Sequence, residues 1–538
     1  MLKKVRLFPL VVAAVMLLAS CGSGNANNAA PAANQAPAAS TAPAASTAPA
    51  ASQAPAAAPV ASTSFKDTLT VAIPSEPPNT DPHNNTYLVA FFVQKQVYDT
   101  LVVQAADGTI LPGLAEKWEV IDDTTVRFFL RDEVYFHNGE KLTADVVKFN
   151  IERAAVMPSS SSVFASFDAE ATTVVDELTI DIKTKAPFAA IFNYLACSRG
   201  DIISKQAVEE MGDDVFGHAP VGTGPFVFDK WVSGDRIELV RNDNYWGDKP
   251  QYERMIVRFM PETATRSIEL ETGGVDIAFN IAPNDKQRLI DNPNTQIVDG
   301  PGYTTVYFAF NQNYEPYNNP LFRRAFAHAI DLEAIVDSVF LGTAVTADSQ
   351  LAPTVFAYNP TGIHEYDPEK AKALLAEAGI PEGTKIEMNV GEVRANMDVC
   401  EIAQNMLGQV GLEVEIKILE TAASAKMINE GTYQFGLVSL TPSTGDPDHG
   451  FMMLPSSYVG PIMLRDEKVD DLLERGRAAF DPEARKEIYK ELQQVNYDEI
   501  YTLPVAYTDI AYGIGATVEG FVFEPGSRPD LTHVTVGQ

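Results

Sequence analysis

Leu111-Pro112-Gly113-Leu114-Ala115-Glu116-Lys117-Trp118 carries more of the fold than any other stretch of its length. Pro112-Gly113 reads as a turn, where a residue without Cβ can take positive φ, and Trp118 suits core packing. Just beyond it, residues 125–130 (Thr-Val-Arg-Phe-Phe-Leu) have the β-branched and aromatic content of a strand. Similar strand-like runs occur at 68–73, 178–182, 236–240, 255–259, 306–310 and 413–419, with helical runs between many of them. Asp367-Pro368 opens one helix: Asp at the N-cap, Pro at the first position, Ala371, Leu374, Leu375 and Ala378 on one face, and Gly379 as the stop. Asp481-Pro482 opens another, with Ile488, Leu492 and Val495 at helical spacing, and residues 401–410 form a third that feeds the strand after Gly411. Helices covering strand-rich sheets define an α/β protein.

The opening stretch continues through Val126-Arg127-Phe128-Phe129-Leu130-Arg131, Val134-Tyr135-Phe136-His137-Asn138-Gly139 and Leu142-Thr143-Ala144-Asp145-Val146. So extended, it resembles the signature of family 5 extracellular solute-binding proteins, the peptide and nickel receptors of ABC importers. Further matching blocks follow in family order. They are Val221-Gly222-Thr223-Gly224-Pro225-Phe226, Arg241-Asn242-Asp243-Asn244-Tyr245-Trp246, Phe310-Asn311, Arg323-Arg324-Ala325-Phe326 with Ala329-Ile330-Asp331, and Gly445-Asp446-Pro447-Asp448. The resemblance spans Thr68 to about Val505. It implies a two-lobed, periplasmic-binding-protein-like fold of type II, in the large peptide-binding class, with an extra subdomain and a ligand cleft between the lobes. Lobe I is then expected from residues 65–113, 223–308 and 506–538, its inserted subdomain from 114–222, and lobe II from 309–505. Hinge closure would enclose the ligand.

Residues 1–20 have the layout of a secretory signal peptide: a basic tip (Lys3, Lys4, Arg6), then an apolar run broken only by Pro9. That run is shorter than the roughly 20 residues a helix needs to span a bilayer. Leu18-Ala19-Ser20-Cys21 resembles the lipobox of bacterial lipoproteins, where cleavage falls just before the cysteine and its thiol is joined to diacylglycerol. Cys21 is therefore the expected lipidation site, against the rival reading of an ordinary signal peptide or N-terminal anchor that happens to end in Cys. Residues 21–64 read as a disordered Ala/Pro-rich tether. The stretch 22–64 has no charged or aromatic residue, and a six-residue unit recurs from Ala36-Pro37-Ala38-Ala39-Ser40-Thr41 onward. Each proline stops the alanines from propagating a helix, and there is nothing to bury against the entropy of ordering. At ~3 Å per residue such a spacer reaches on the order of 130 Å. The expectation is an extracytoplasmic protein held to the cell membrane through its lipid alone, with a Gram-positive surface favoured and the periplasmic space if Gram-negative.

With 40 Lys and Arg against 72 Asp and Glu, the formal charge is −32. That balance argues against nucleic acid as a partner and favours solubility at an anionic envelope. Besides Cys21 only Cys197 and Cys400 remain, too sparse for a disulfide framework, and both read as separate buried thiols. The 7 histidines include no His-x-x-x-His or His-x-His pair, and no Gly-x-Ser-x-Gly elbow or Walker loop appears. The chain thus reads as a monomeric binding protein rather than an enzyme, with no cofactor and no metal site of its own. Alternatives from other classes are a surface sensor or adhesin that keeps the fold without a transporter, and a receptor for a nickel chelate. A secreted hydrolase has no motif behind it.

The resemblance also places the ligand contacts, on loops facing the cleft. Asn85, Thr86 and Tyr87 follow a Pro-rich turn at 74–82, where peptide-binding relatives contact the ligand main chain; Tyr87 reads equally well as a core residue. Arg394 lies near the position of a carboxylate-gripping Arg in such relatives, and a planar guanidinium holds a carboxylate through two parallel hydrogen bonds. The third loop is 441–449. Dipeptide receptors carry, three residues before the Asp-Pro-Asp, an Asp that pairs with the ligand's α-ammonium. Here that position is Ser443, whose hydroxyl accepts a hydrogen bond but does not neutralise a buried cation. Asp446 is the candidate substitute, with Asp448 beside it, and Asp446-Pro447 reads equally as a turn. The expected ligand is a short peptide held chiefly by its backbone, delivered to an ABC permease and its ATPase.

Overall fold

A computed structural model of the chain describes residues 65–105 and 108–537. The signal-peptide, lipidation and tether readings, Cys21 included, lie outside the described residues. Two long strands, Thr295–Phe310 and Thr502–Gly515, pair antiparallel and run through the middle of an 11-stranded sheet. On one side of the pair the sheet continues through Ile277–Phe279, Thr68–Ile73, Arg254–Phe259, Arg236–Arg241 and Phe226–Val232. On the other it continues through Phe435–Leu440, Thr384–Gly391 and Leu412–Leu419.

The two halves have separate cores. Leu69, Val71, Phe92, Ile277, Tyr512 and Ile514 pack in the first. Phe308, Phe310, Phe326, Met388, Val399 and Phe435 pack in the second. Each long strand therefore begins in one core and ends in the other. Their register shifts between Pro301↔Asp509 and Thr305↔Tyr507, so the ladder is irregular just where the chain passes between the lobes. A third core, with Val126, Phe128, Phe136, Ile151, Phe164 and Ile180, sits under a four-stranded sheet built from Ala115–Asp122, Thr125–Leu130, Thr179–Lys183 and Thr173–Asp176.

Local chemistry sets these elements in place. Asp367 Oδ1 accepts from Lys370 N at 2.9 Å, Pro368 occupies the first turn, and the chain leaves helix Pro368–Glu377 through Gly379 at φ +72°. Asp481 caps helix Pro482–Glu499 in the same way, accepting from Ala484 N at 2.8 Å. The glycines of Val221-Gly222-Thr223-Gly224 follow from close approach, since a Cβ on Gly222 would stand 2.1 Å from Val97 O and one on Gly224 would stand 2.5 Å from Val97 C. His137 fastens this crossing. Its Nε2 lies 3.0 Å from Gly224 O, Gly222 N donates to its Nδ1 at 3.3 Å, and burial pulls its pKa down to about 4, so the ring is neutral. Asp99 gathers two distant pieces of sequence by accepting from Thr223 Oγ1 (2.9 Å) and from the neighbours Tyr245 OH (3.1 Å) and Trp246 Nε1 (2.8 Å). Cys197 and Cys400 are free and buried. Among the described residues no helix is long and apolar enough to cross a membrane.

Candidate functional site

A cavity of about 290 Å³ opens beside Tyr303 of the first long strand, between the end of the first helix, the subdomain and the C-terminal tail. Its walls come from the end of the first helix (Lys95, Tyr98), the segment Ala196–Asp201, Tyr303 at the register break, Ser443, and the C-terminal tail around Glu524 and Arg528. Gly445 lets the 441–449 loop close on this space. It sits at φ +62°, and a Cβ there would meet Gln104 Nε2 at 3.0 Å and Tyr303 OH at 3.1 Å.

The cavity's charges are arranged unevenly. Arg528 Nη2 reaches both oxygens of Asp201, at 2.8 and 2.9 Å, while Arg528 Nε is buried without a partner. Burial raises the Asp201 pKa and Arg528 opposes that shift. Asp530 lies 3.8 Å from Lys95 Nζ. Among the described residues the Glu524 carboxylate accepts only from main chain, the N–H groups of Gly526 (2.8 Å) and Arg528, and burial raises its pKa. Behind Ser443 stands Arg199, 8 % exposed, whose Nη1 donates to Ser443 Oγ at 2.8 Å and whose Nε donates to Ser159 O at 3.3 Å. Its guanidinium also lies over the Phe91 ring. Among the described residues no carboxylate pairs with Arg199, and burial lowers its pKa.

Of the residues singled out from sequence, only Ser443 lines this cavity. Asn85 turns inward to its own loop, accepting from Tyr87 N (2.7 Å) and donating to Asn79 O (2.6 Å) at the entry of helix Leu88–Val97. Thr86 and Tyr87 are exposed, Tyr87 by 60 %. Arg394 is exposed on helix Arg394–Gln409 and pairs along it with Asp398. Asp446 is fully buried and held by Arg485 through two bonds of 2.6 and 2.7 Å. It is thus committed to helix Pro482–Glu499 and offers the cavity no free carboxylate. Asp448 accepts from Arg477 Nε and from Tyr194 OH (3.0 Å), tying helix Glu467–Ala478 to helix Ile191–Ala196. The tail carrying Glu524 and Arg528, and the Arg199–Asp201 segment, escaped sequence reading. Their one signal was charge placed beside turn residues, in Glu524-Pro525-Gly526-Ser527-Arg528 and Ser198-Arg199-Gly200-Asp201.

Two lobes joined by paired strands and closing on a polar cavity define a solute-binding protein of the two-lobed type II class. The chain belongs to the bacterial extracellular solute-binding proteins, family 5, whose middle-region model matches residues 109–460, more than half of its length. It is 28% identical over 461 residues to the dipeptide-binding protein of Escherichia coli K12, covering 79% of this chain and 86% of that one. It is 29% identical over 470 residues to heme-binding protein A of Haemophilus influenzae, with 80% and 85% covered. Among solved structures, the ABC transporter-associated periplasmic binding protein DppA of Helicobacter pylori, in complex with the peptide STSA, superposes with TM-score 0.75 at 25% identity. That match covers 88% of this chain and 99% of the other. The family is one of binding proteins.

Proposed function

We propose that this protein captures short peptides in the interlobe cavity and hands them to the permease of an ABC importer. The observation that carries this reading is the cavity itself. It is lined by lobe I and its subdomain, with Tyr303 at the strand crossing and Ser443 reaching in from lobe II, and its about 290 Å³ lies just below the ~300–1,000 Å³ range of ligand pockets. A space of that size suits a few residues of peptide, and relatives named for a dipeptide and solved with a tetrapeptide favour the same class. Waters filling the unused volume would satisfy varied side chains and keep discrimination loose.

In this reading residues 1–20 direct export, Cys21 carries the lipid and residues 21–64 hold the binding module away from the membrane. In the same reading, residues 114–222 are the subdomain inserted into lobe I and residues 309–505 are lobe II. Mass spectrometry of small molecules released from the purified protein tests the ligand class. Peptides of two to five residues are expected, and a consistent non-peptide ligand would sink the assignment. For the anchor, Cys21→Ser should release the protein into the medium or leave an uncleaved precursor. Unchanged membrane retention without precursor would count against lipidation.

A further inference from the structure

The cavity wall carries polar groups of both signs. Glu524 is a half-buried carboxylate on that wall whose only hydrogen bonds among the described residues come from the main-chain N–H groups of Gly526 and Arg528. The other acids of the cavity are already engaged, Asp201 by Arg528 and Asp530 by Lys95. Lys95 and Arg528 influence Glu524 only at longer range. A buried carboxylate without a contacting cation is a costly arrangement that a ligand cation relieves. Tyr303 and Tyr512 stand close enough that, after burial, the Glu524 charge is what raises their hydroxyl pKa values.

At Ser443 the sign reverses. Ser443 Oγ accepts a hydrogen bond from Arg199, a buried guanidinium that no carboxylate among the described residues neutralises. A hydroxyl whose oxygen is engaged as acceptor by a cation keeps its own O–H free to donate. Ser443 therefore presents a polarised donor to the cavity with positive charge behind it. An ammonium there would compete with Arg199 for the hydroxyl lone pairs and meet a like charge, whereas a carboxylate would accept from Ser443 and compensate Arg199. The unpartnered Nδ1 of His449, whose pKa burial and then Arg199 pull down to about 4, gives Arg199 no negative partner either.

We propose that the cavity selects zwitterionic ligands, pairing the ammonium with Glu524 and taking the carboxylate at Ser443 backed by Arg199. This assignment rests on the peptide reading above and adds to it a polarity, and the requirement that both peptide ends be free.

Calorimetry on the full-length protein tests it with Ala-Ala, Leu-Leu and Ala-Ala-Ala, each supplied free, N-acetylated or C-amidated. Each block is expected to weaken binding roughly 10- to 100-fold, the range of a hydrogen bond to a charged group. Glu524→Gln should weaken the free peptides by a similar factor, abolish the acetylation penalty and keep the amidation penalty. Ser443→Ala should do the reverse, and Glu524→Asp should retain sensitivity to acetylation. Equal binding of free and acetylated peptides by the wild-type protein, or an acetylation penalty that survives in Glu524→Gln, would overturn the Glu524 pairing while leaving the peptide reading intact. An amidation penalty unchanged in Ser443→Ala would overturn the other end. Failure of the wild type to bind any of the nine compounds would overturn the peptide reading, and this proposal with it.

Discussion

At the residue scale, Asp446 shows how a motif legible as a pattern can be taken up by packing. Asp-Pro-Asp looks like a pair of carboxylates offered by a loop. In the fold each is consumed by an arginine from a following helix, Arg485 on Asp446 and Arg477 on Asp448. Those arginines lie 39 and 29 positions away, and no local spacing announces them. The same holds for Asp99, whose partners Thr223 and Trp246 are 124 and 147 positions distant. Family blocks at 221–226 and 241–246 were legible as blocks, but not as donors to one carboxylate. Asp446→Asn should therefore act on stability rather than binding. It leaves Arg485 charged and buried without its partner, a change expected to cost about 3–5 kcal/mol in urea unfolding, while peptide affinity of the folded protein stays unchanged. Lost affinity at wild-type stability would return Asp446 to the ligand site.

At the element scale, legibility tracked how much local chemistry an element carries. Strands Thr68–Ile73 and Thr125–Leu130 have the bounds their apolar and β-branched content implies. Helices with Asp-Pro starts were equally plain, since cap and first-turn proline are both written in the sequence. Strand Thr295–Phe310 was visible only at its end. Its first half contains Gly300-Pro301-Gly302, which reads as a breaker, yet pairing with Thr502–Gly515 sustains it. Helix Arg394–Gln409 begins well before the expected 401 because Val393, at its N-cap, makes no side-chain capping bond and so leaves no signal. That places Arg394 in the first turn, where the helix dipole disfavours a cation. Val393 is 59% exposed and its φ of −77° and ψ of 120° suit a capping side chain. Val393→Asp should stabilise the protein by about 1 kcal/mol, read as a raised denaturation midpoint with an unchanged m-value. Arg394→Ala should leave peptide affinity as it is, and a substantial loss in calorimetry would put Arg394 back in contact with ligand.

At the scale of the whole molecule, ordered motifs along most of the chain were enough to read two lobes and a cleft. The cleft's own charges were not legible, because they come from the tail, a turn in the subdomain and a serine brought together only by folding. The same burial that hides such groups makes the protein acid-sensitive. His83, His137, His364 and His449, drawn from different parts of the fold, each have a pKa lowered to about 4, chiefly by desolvation. An unfolded histidine titrates near ~6.5. Between those two values the unfolded chain holds protons that the folded one refuses, so stability rises with pH across the window. Their contribution is complete above the unfolded value and is lost as pH falls through about 4, at up to ~1.4 kcal/mol per pH unit for each histidine. Buried Asp99 and Asp201, whose pKa values burial raises, work in the opposite sense, so a single-site difference isolates the histidine effect. His449 suits the purpose, its Nδ1 being buried and unpartnered among the described residues, beside Arg199 and Tyr194. Urea unfolding of the wild type and His449→Phe between about pH 4.5 and 6.5 should show the mutant's stability falling less steeply on acidification, by close to one proton's worth of slope. Parallel pH profiles for the two proteins would mean that His449 titrates alike in the folded and unfolded chain, and that its burial exerts no such hold.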